Sequence, residues 1–205
     1  MVAIVDYGVG NLFSLKSSLE AIGQTAIVTG DKNEIQKADR IILPGVGAFE
    51  DAALKLKNSG LGEIIVSQAE KGKPLMGICL GMQLLLERSY EYGVHDGLGL
   101  IKGEIRPIGD VIPKDLKIPH IGWNALEFVG KKNEIFKYLS DGDCVYFVHS
   151  YHAQNCPDVI ATSEYGACLT AAVANKNVYG CQFHPEKSGM VGLKILKAFC
   201  ETEGY

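Results

Sequence analysis

The sequence predicts a single α/β domain over residues 1–205, with a mostly parallel central sheet flanked by helices and some antiparallel strands added. Three observations carry that expectation. Short apolar runs alternate with helical stretches through the first half of the chain, the pattern of βα units. At 205 residues, 47% hydrophobic and 21% charged, the chain can bury one sizeable core without disulfides or metals. No repeat, linker or low-complexity stretch marks a second domain.

Residues 1–6 read as the first strand, ending in Asp6-Tyr7-Gly8-Val9-Gly10-Asn11. Asn11 is placed to cap a helix over 12–22, in which Leu12, Leu15, Leu19 and Ile22 share one face. Gly8-Val9-Gly10 lacks the third glycine and the acidic strand end of a dinucleotide loop, so that reading is set aside. A second strand is expected over 25–28, a short helix over 35–38 and a third strand over 40–43. That strand runs into Pro44-Gly45-Val46-Gly47-Ala48-Phe49. Two glycines straight after a buried strand let backbone amides turn into a site, the usual construction of an oxyanion hole. Helices over 50–56 and 61–71 follow, around the break at Asn58-Ser59-Gly60.

After Pro74 an apolar strand leads to Gly77-Ile78-Cys79-Leu80-Gly81, followed by strong helix formers. Small residues two before and two after Cys79 let a strand turn abruptly into a helix, a nucleophile elbow with cysteine in the serine position. The helix start beneath the thiol favours its thiolate form. The helix is expected to run through Glu91. Beyond it the texture changes, with strands over 101–108, 118–128, 143–151, 159–162, 168–174 and 178–183, and a closing helix over 191–199.

A thiol nucleophile needs a base, and the base an orienting partner. Of the five histidines, His184 ends a buried strand, is followed by Pro185 and has Glu186 two residues on. The residues alone therefore describe a Cys79-His184-Glu186 acyl-transfer enzyme, with esterase, amidase, peptidase and transamidase all open. A net charge of −4 and a pI of about 5.7 argue against nucleic acid as a general partner. No apolar stretch has the length of a membrane span. Six scattered cysteines without a C-x-x-C pair suggest neither zinc nor a disulfide framework, and a reducing cytoplasm suits them. Thiol acyl transfer calls for no cofactor and no metal.

Taken together, Pro44-Gly-Val-Gly-Ala-Phe49, Gly77-Ile-Cys-Leu-Gly-Met-Gln83 and Gln182-Phe-His-Pro-Glu-Lys-Ser188 resemble the class I (triad) glutamine amidotransferase family. Its fold is flavodoxin-like. Tyr7-Gly-Val-Gly-Asn-Leu12, Pro119-His-Ile-Gly-Trp-Asn124 and Tyr146-Phe-Val-His-Ser-Tyr-His152 resemble the glutaminase-subunit branch of the imidazole glycerol phosphate synthases. The resemblance implies that Cys79 attacks the carboxamide of glutamine while His184, held by Glu186, moves the protons. It also implies an oxyanion hole from Leu80 and the Gly45-Val46 segment, and glutamine binding by Gln83, Glu91, Ser150 and Tyr151. Ammonia would pass to a (β/α)8-barrel cyclase subunit docked through Asn11, Trp123, Tyr146 and Lys187. As the only tryptophan, Trp123 could instead fill the core. Three rivals stand beside this reading: a paralogue feeding a sugar-amidating synthetase, a non-catalytic regulator of the same fold, and a stand-alone cysteine hydrolase.

Overall fold

Along the first strand, β1 (Val2–Val5), Val2 and Ile4 enter one apolar cluster, while Ala3 and Val5 enter another. Successive side chains of a strand point to opposite faces, so this strand needs apolar cover on both sides. The computed structural model, which describes residues 1–204, shows how the chain supplies it. In order come α1 (Leu12–Ala21), β2 (Ala26–Thr29), α2 (Lys32–Lys37), β3 (Arg40–Gly45), α3 (Phe49–Ser59), α4 (Leu61–Glu70), β4 (Leu75–Cys79) and α5 (Leu80–Leu85). There follow β5 (Leu86–Ser89), β6 (His95–Asp96), β7 (Ile101–Pro107), β8 (His120–Ala125), β9 (Glu127–Phe128), β10 (Cys144–His149) and β11 (Tyr151–Gln154). The chain closes with β12 (Val159–Glu164), β13 (Cys168–Asn175), β14 (Val178–Cys181) and α6 (Gly189–Cys200).

The central sheet has the order β2-β1-β3-β4-β14-β13-β12-β9. Its first five strands are parallel and the remainder antiparallel. Leu15 and Leu19 of α1 and Ile195, Leu196 and Phe199 of α6 join the cluster on one face. Ile35, Phe49, Leu56, Leu61 and Ile65, from α2, α3 and α4, join the cluster on the other. Two small sheets, β10-β8 and β11-β7-β5-β6, are built onto this frame. Among the described residues no helix is long and apolar enough to cross a membrane.

Four local expectations are corrected. The helix expected through Glu91 ends at Leu85. The amides of Leu98, Leu100 and Gly99 take the carbonyls of Leu84, Leu85 and Leu86, the acceptors that another helical turn would have used. The single strand expected over 143–151 breaks at Ser150. Its first part pairs with β8 and its second crosses to β7. The strand expected over 118–128 is likewise split, at Leu126. Asn11 precedes α1 without a capping side-chain bond, whereas Asp31, which was not expected to cap, accepts from the amides of Asn33 and Glu34.

Candidate active site

β3 and β4 run in parallel and in register, so their C-terminal ends coincide and Gly45 lies opposite Cys79. At that edge Cys79 takes φ 53°, ψ −111°, outside the regions a side chain prefers, as β4 turns directly into α5. The turn is tight enough that a Cβ on Gly77 would lie 2.6 Å from the carbonyl oxygen of Gly81. Cys79 is buried to 8% exposure. Its Sγ lies 3.9 Å from the carbonyl oxygen of Val148 and 3.8 Å from Nε2 of Gln182.

On the other side of β4, β14 ends at Cys181 and the chain continues to His184. The backbone of His184 is fixed from two sides. Its amide donates to Tyr146 O at 2.9 Å, and its carbonyl accepts from Ser188 Oγ at 2.6 Å. Nδ1 of His184 lies 2.8 Å from Oε1 of Glu186, with both side chains almost completely buried. A carboxylate only accepts, so Nδ1 carries the proton of this bond. Nε2 is buried without a hydrogen bond in this resting geometry, which leaves it free for proton transfer. Burial opposes charge on the ring, yet interaction with Cys79 and with Glu186 outweighs it and pushes His184 up to about 9.

Cys79, His184, Val46, Gln83, Glu91, Ser150 and Tyr151 line one cavity of about 560 Å³. Gln83, expected to bind substrate, is 6% exposed. Its Nε2 donates to Tyr151 O at 3.3 Å and to Gln182 Oε1 at 3.1 Å. Both amide protons are thereby used, so what the carboxamide can offer a ligand is its oxygen. Glu91 reaches the cavity from the loop after β5 rather than from a helix. Its Oε2 accepts from the amide of Phe49 at 2.6 Å, the first residue of α3, where helix geometry favours an anion. Glu91 thus ties the cavity to the 44–49 loop. Val46 is exposed in that loop, and Gly47 takes φ +99°. Tyr7 Oη donates to Pro44 O at 2.7 Å beneath it.

The four residues expected at a partner face fall into two groups. Trp123 and Tyr146 pair across β8 and β10 with ring centroids 6.0 Å apart, and Lys187 Nζ lies 5.8 Å from the Tyr146 ring. Trp123 is 55% exposed, which rules out the core-filling alternative. Asn11 sits apart from them, at a recess shared with Gly45, His184 and Glu186. Reasoning from the sequence gave no role to Gln182 or Tyr7. Gln182 stands two residues before His184, the spacing at which extended side chains share a side, and that was the available signal. A larger cleft of about 700 Å³, lined by Glu50 of α3, Glu63 of α4 and His95 of β6, has no cysteine in its lining. Among the described residues no group of three or more His, Cys, Asp or Glu could hold a metal ion.

Comparison with known proteins identifies the family. The family model "Glutamine amidotransferase class-I" matches residues 3–202. A Lactococcus lactis protein named imidazole glycerol phosphate synthase subunit HisH is 50% identical over 203 residues, 98% of each chain. The protein of that name from Caldanaerobacter subterraneus is 49% identical over the same share. Among solved structures, one described as a glutamine amidotransferase superposes with TM-score 0.76 at 19% identity, covering 98% of each chain. PurLQS from Thermotoga maritima gives TM-score 0.74 at 22% identity, over 97% of this chain and 96% of that one.

Proposed function

This chain belongs to the class I glutamine amidotransferase family, and from that premise we propose that it is the glutaminase subunit of an imidazole glycerol phosphate synthase. It is an enzyme that releases ammonia from glutamine. The observation that carries the reading is the shared cavity, in which Cys79, the His184–Glu186 pair, Gln83 and Glu91 meet.

Glutamine enters with its ammonium toward Glu91 and the free carboxamide oxygen of Gln83, both acceptors. Backbone at the Ser150-Tyr151 break holds its carboxylate end. Cys79 Sγ attacks the side-chain carbonyl carbon, its proton having passed to His184 Nε2, where the raised proton affinity of the ring holds it. The resulting oxyanion is held by the amide of Leu80 and by an amide of the Gly45-Val46 segment. His184 returns the proton to the departing nitrogen, and ammonia leaves a glutamyl thioester on Cys79. A water that gives its proton to His184 attacks the thioester, and glutamate departs as the thiol is restored. Glu186 steadies the imidazolium that forms twice in each cycle.

Ammonia is small and easily lost to solvent, so it passes directly to a (β/α)8-barrel cyclase subunit, where it is used to form imidazole glycerol phosphate and AICAR in histidine biosynthesis. Docking involves Asn11, Trp123, Tyr146 and Lys187, of which Lys187 lines the cavity and Asn11 a neighbouring recess that also reaches His184. Trp and Tyr are the residue types that anchor such contacts. One domain spans residues 1–205 and works in the cytoplasm. The Gly45-Val46-Gly47 segment turns its amides into the site only when the partner is bound, so the chain alone is nearly silent.

The test is glutamine hydrolysis by the purified chain, alone and with a cyclase subunit from the same source, with and without the cyclase's nucleotide substrate. Hydrolysis is expected only in the complex, and Cys79→Ala abolishes it. Equal turnover without the partner would refute the gating. Silence of folded protein in the complex would overturn the assignment of partner.

A further inference from the structure

We propose that Gln182 is a further catalytic residue, donating a hydrogen bond to Cys79 Sγ that stabilises the thiolate, with the direction of that donation set by the Tyr151 carbonyl through Gln83. The inference deepens the thiol chemistry proposed above and rests on Cys79 being the nucleophile.

A backbone carbonyl can only accept, so Tyr151 O requires the nitrogen of the Gln83 carboxamide to face it, at 3.3 Å. The second N–H of that nitrogen then points to Gln182, 3.1 Å away, and requires an acceptor there. Gln182 answers with Oε1. Its own orientation is thereby fixed, and its Nε2 is turned to Cys79 Sγ at 3.8 Å. Reversing Gln182 would set two donors against each other at Gln83 and present an oxygen to the sulfur. Gln182 has 0% exposure, so water cannot relieve such a reversal.

A second polar neighbour of the sulfur, Val148 O at 3.9 Å, is an acceptor. It suits the thiol, which can donate to it, and opposes the thiolate, which cannot. Gln182 does the reverse. The titratable groups around the sulfur are His184 after β14, with Glu186 behind it, Tyr7 from the loop after β1, and His149 and Glu91 across the cavity. None of them is altered by changing Gln182. The same arrangement couples substrate to nucleophile, because a ligand ammonium on the oxygen of Gln83 pulls on the carboxamide that orients Gln182.

The experiment is alkylation of Cys79 by iodoacetamide as a function of pH, read by mass spectrometry of the Cys79 peptide so that the other five cysteines do not interfere. Wild type, Gln182→Met and Gln83→Met are compared in the full chain, each checked for folding by circular dichroism. Met keeps the length of the side chain and removes its donors. In Gln182→Met the pH midpoint of alkylation is expected to rise by about one unit, so that thiolate-dependent alkylation near neutrality slows about tenfold. Gln83→Met, which does not touch the sulfur, is expected to move it in the same direction by less. An unchanged midpoint in Gln182→Met overturns the proposal. A folded Gln83→Met with an unchanged midpoint overturns it also if Gln182→Met does not fold. Alkylation needs neither glutamine nor a partner, so failure of the glutaminase reading would show up separately, as no hydrolysis in the complex.

Discussion

Replacing Gly81 by alanine tests the geometry on which the elbow depends. A Cβ built on Gly81 lies 1.8 Å from the carbonyl oxygen of Leu43, 2.8 Å from its carbonyl carbon and 3.2 Å from the carbonyl carbon of Pro44. All three are backbone atoms of β3, so no side chain can swing away. Ordinary contact begins at 3.4 Å, and β3 and α5 would have to separate by about 1.6 Å to reach it. That movement acts where Gly45 pairs with Cys79, and so displaces the nucleophile from the candidate oxyanion amides. Overpacking of this kind costs about 3 kcal/mol of stability. A shift of about 1 Å in a reacting group lowers turnover about a hundredfold. Gly47→Ala is the matched comparison. Gly47 has φ +99° and nothing within 4 Å of a built Cβ, so alanine there carries backbone strain alone, about 1–2 kcal/mol. Urea unfolding of both variants, with glutamine hydrolysis in the complex, separates the two effects. The reasoning is refuted if Gly81→Ala is no less stable than Gly47→Ala and retains its turnover.

Glu186→Gln keeps an acceptor for His184 Nδ1 and removes the charge. The rise of His184 from 6.5 to about 9 corresponds to about 3 kcal/mol shared between Cys79 and Glu186. Because the folded value is raised, this stability is fully present below pH 6.5 and is lost as pH rises through about 9. The variant is therefore expected to be about 1–2 kcal/mol less stable than wild type at low pH, with the gap closing above about pH 9. A gap that stays constant with pH, in urea titrations, counts against the pair as an ionic one. Trp123→Ala removes a side chain that is 55% exposed, so the melting temperature of the isolated chain is expected to stay put. Affinity for the cyclase, read by titration calorimetry, is expected to fall about 30-fold or more if Trp123 anchors the interface. Unchanged affinity would remove it from the docking face.

How much of this was legible in the sequence follows the range of the interactions concerned. The apolar run to Cys79, the small residues at Gly77 and Gly81, and His184 followed by Pro185 and Glu186 are local patterns. Local sterics and one short hydrogen bond suffice to read them. The βα alternation likewise foretold a parallel sheet with cover on both faces, because the period of two along β1 leaves no other home for Val2, Ala3, Ile4 and Val5. Tertiary contacts decided the rest. The helix of Gln83 stops at Leu85 because the amides of Leu98, Gly99 and Leu100, farther along the chain, capture its carbonyls, and no propensity within the helix registers that competition. That early stop carries Glu91 out of a helix and onto the amide of Phe49. Ser150 interrupts a largely aromatic and β-branched run because β8 and β7 belong to different sheets. Gln182 and Tyr7 acquire their places only when distant backbone carbonyls, of Tyr151 and Pro44, come within reach. Chemistry that lies within a few residues was written in the chain, whereas the direction of a hydrogen bond depends on which distant group supplies the other half.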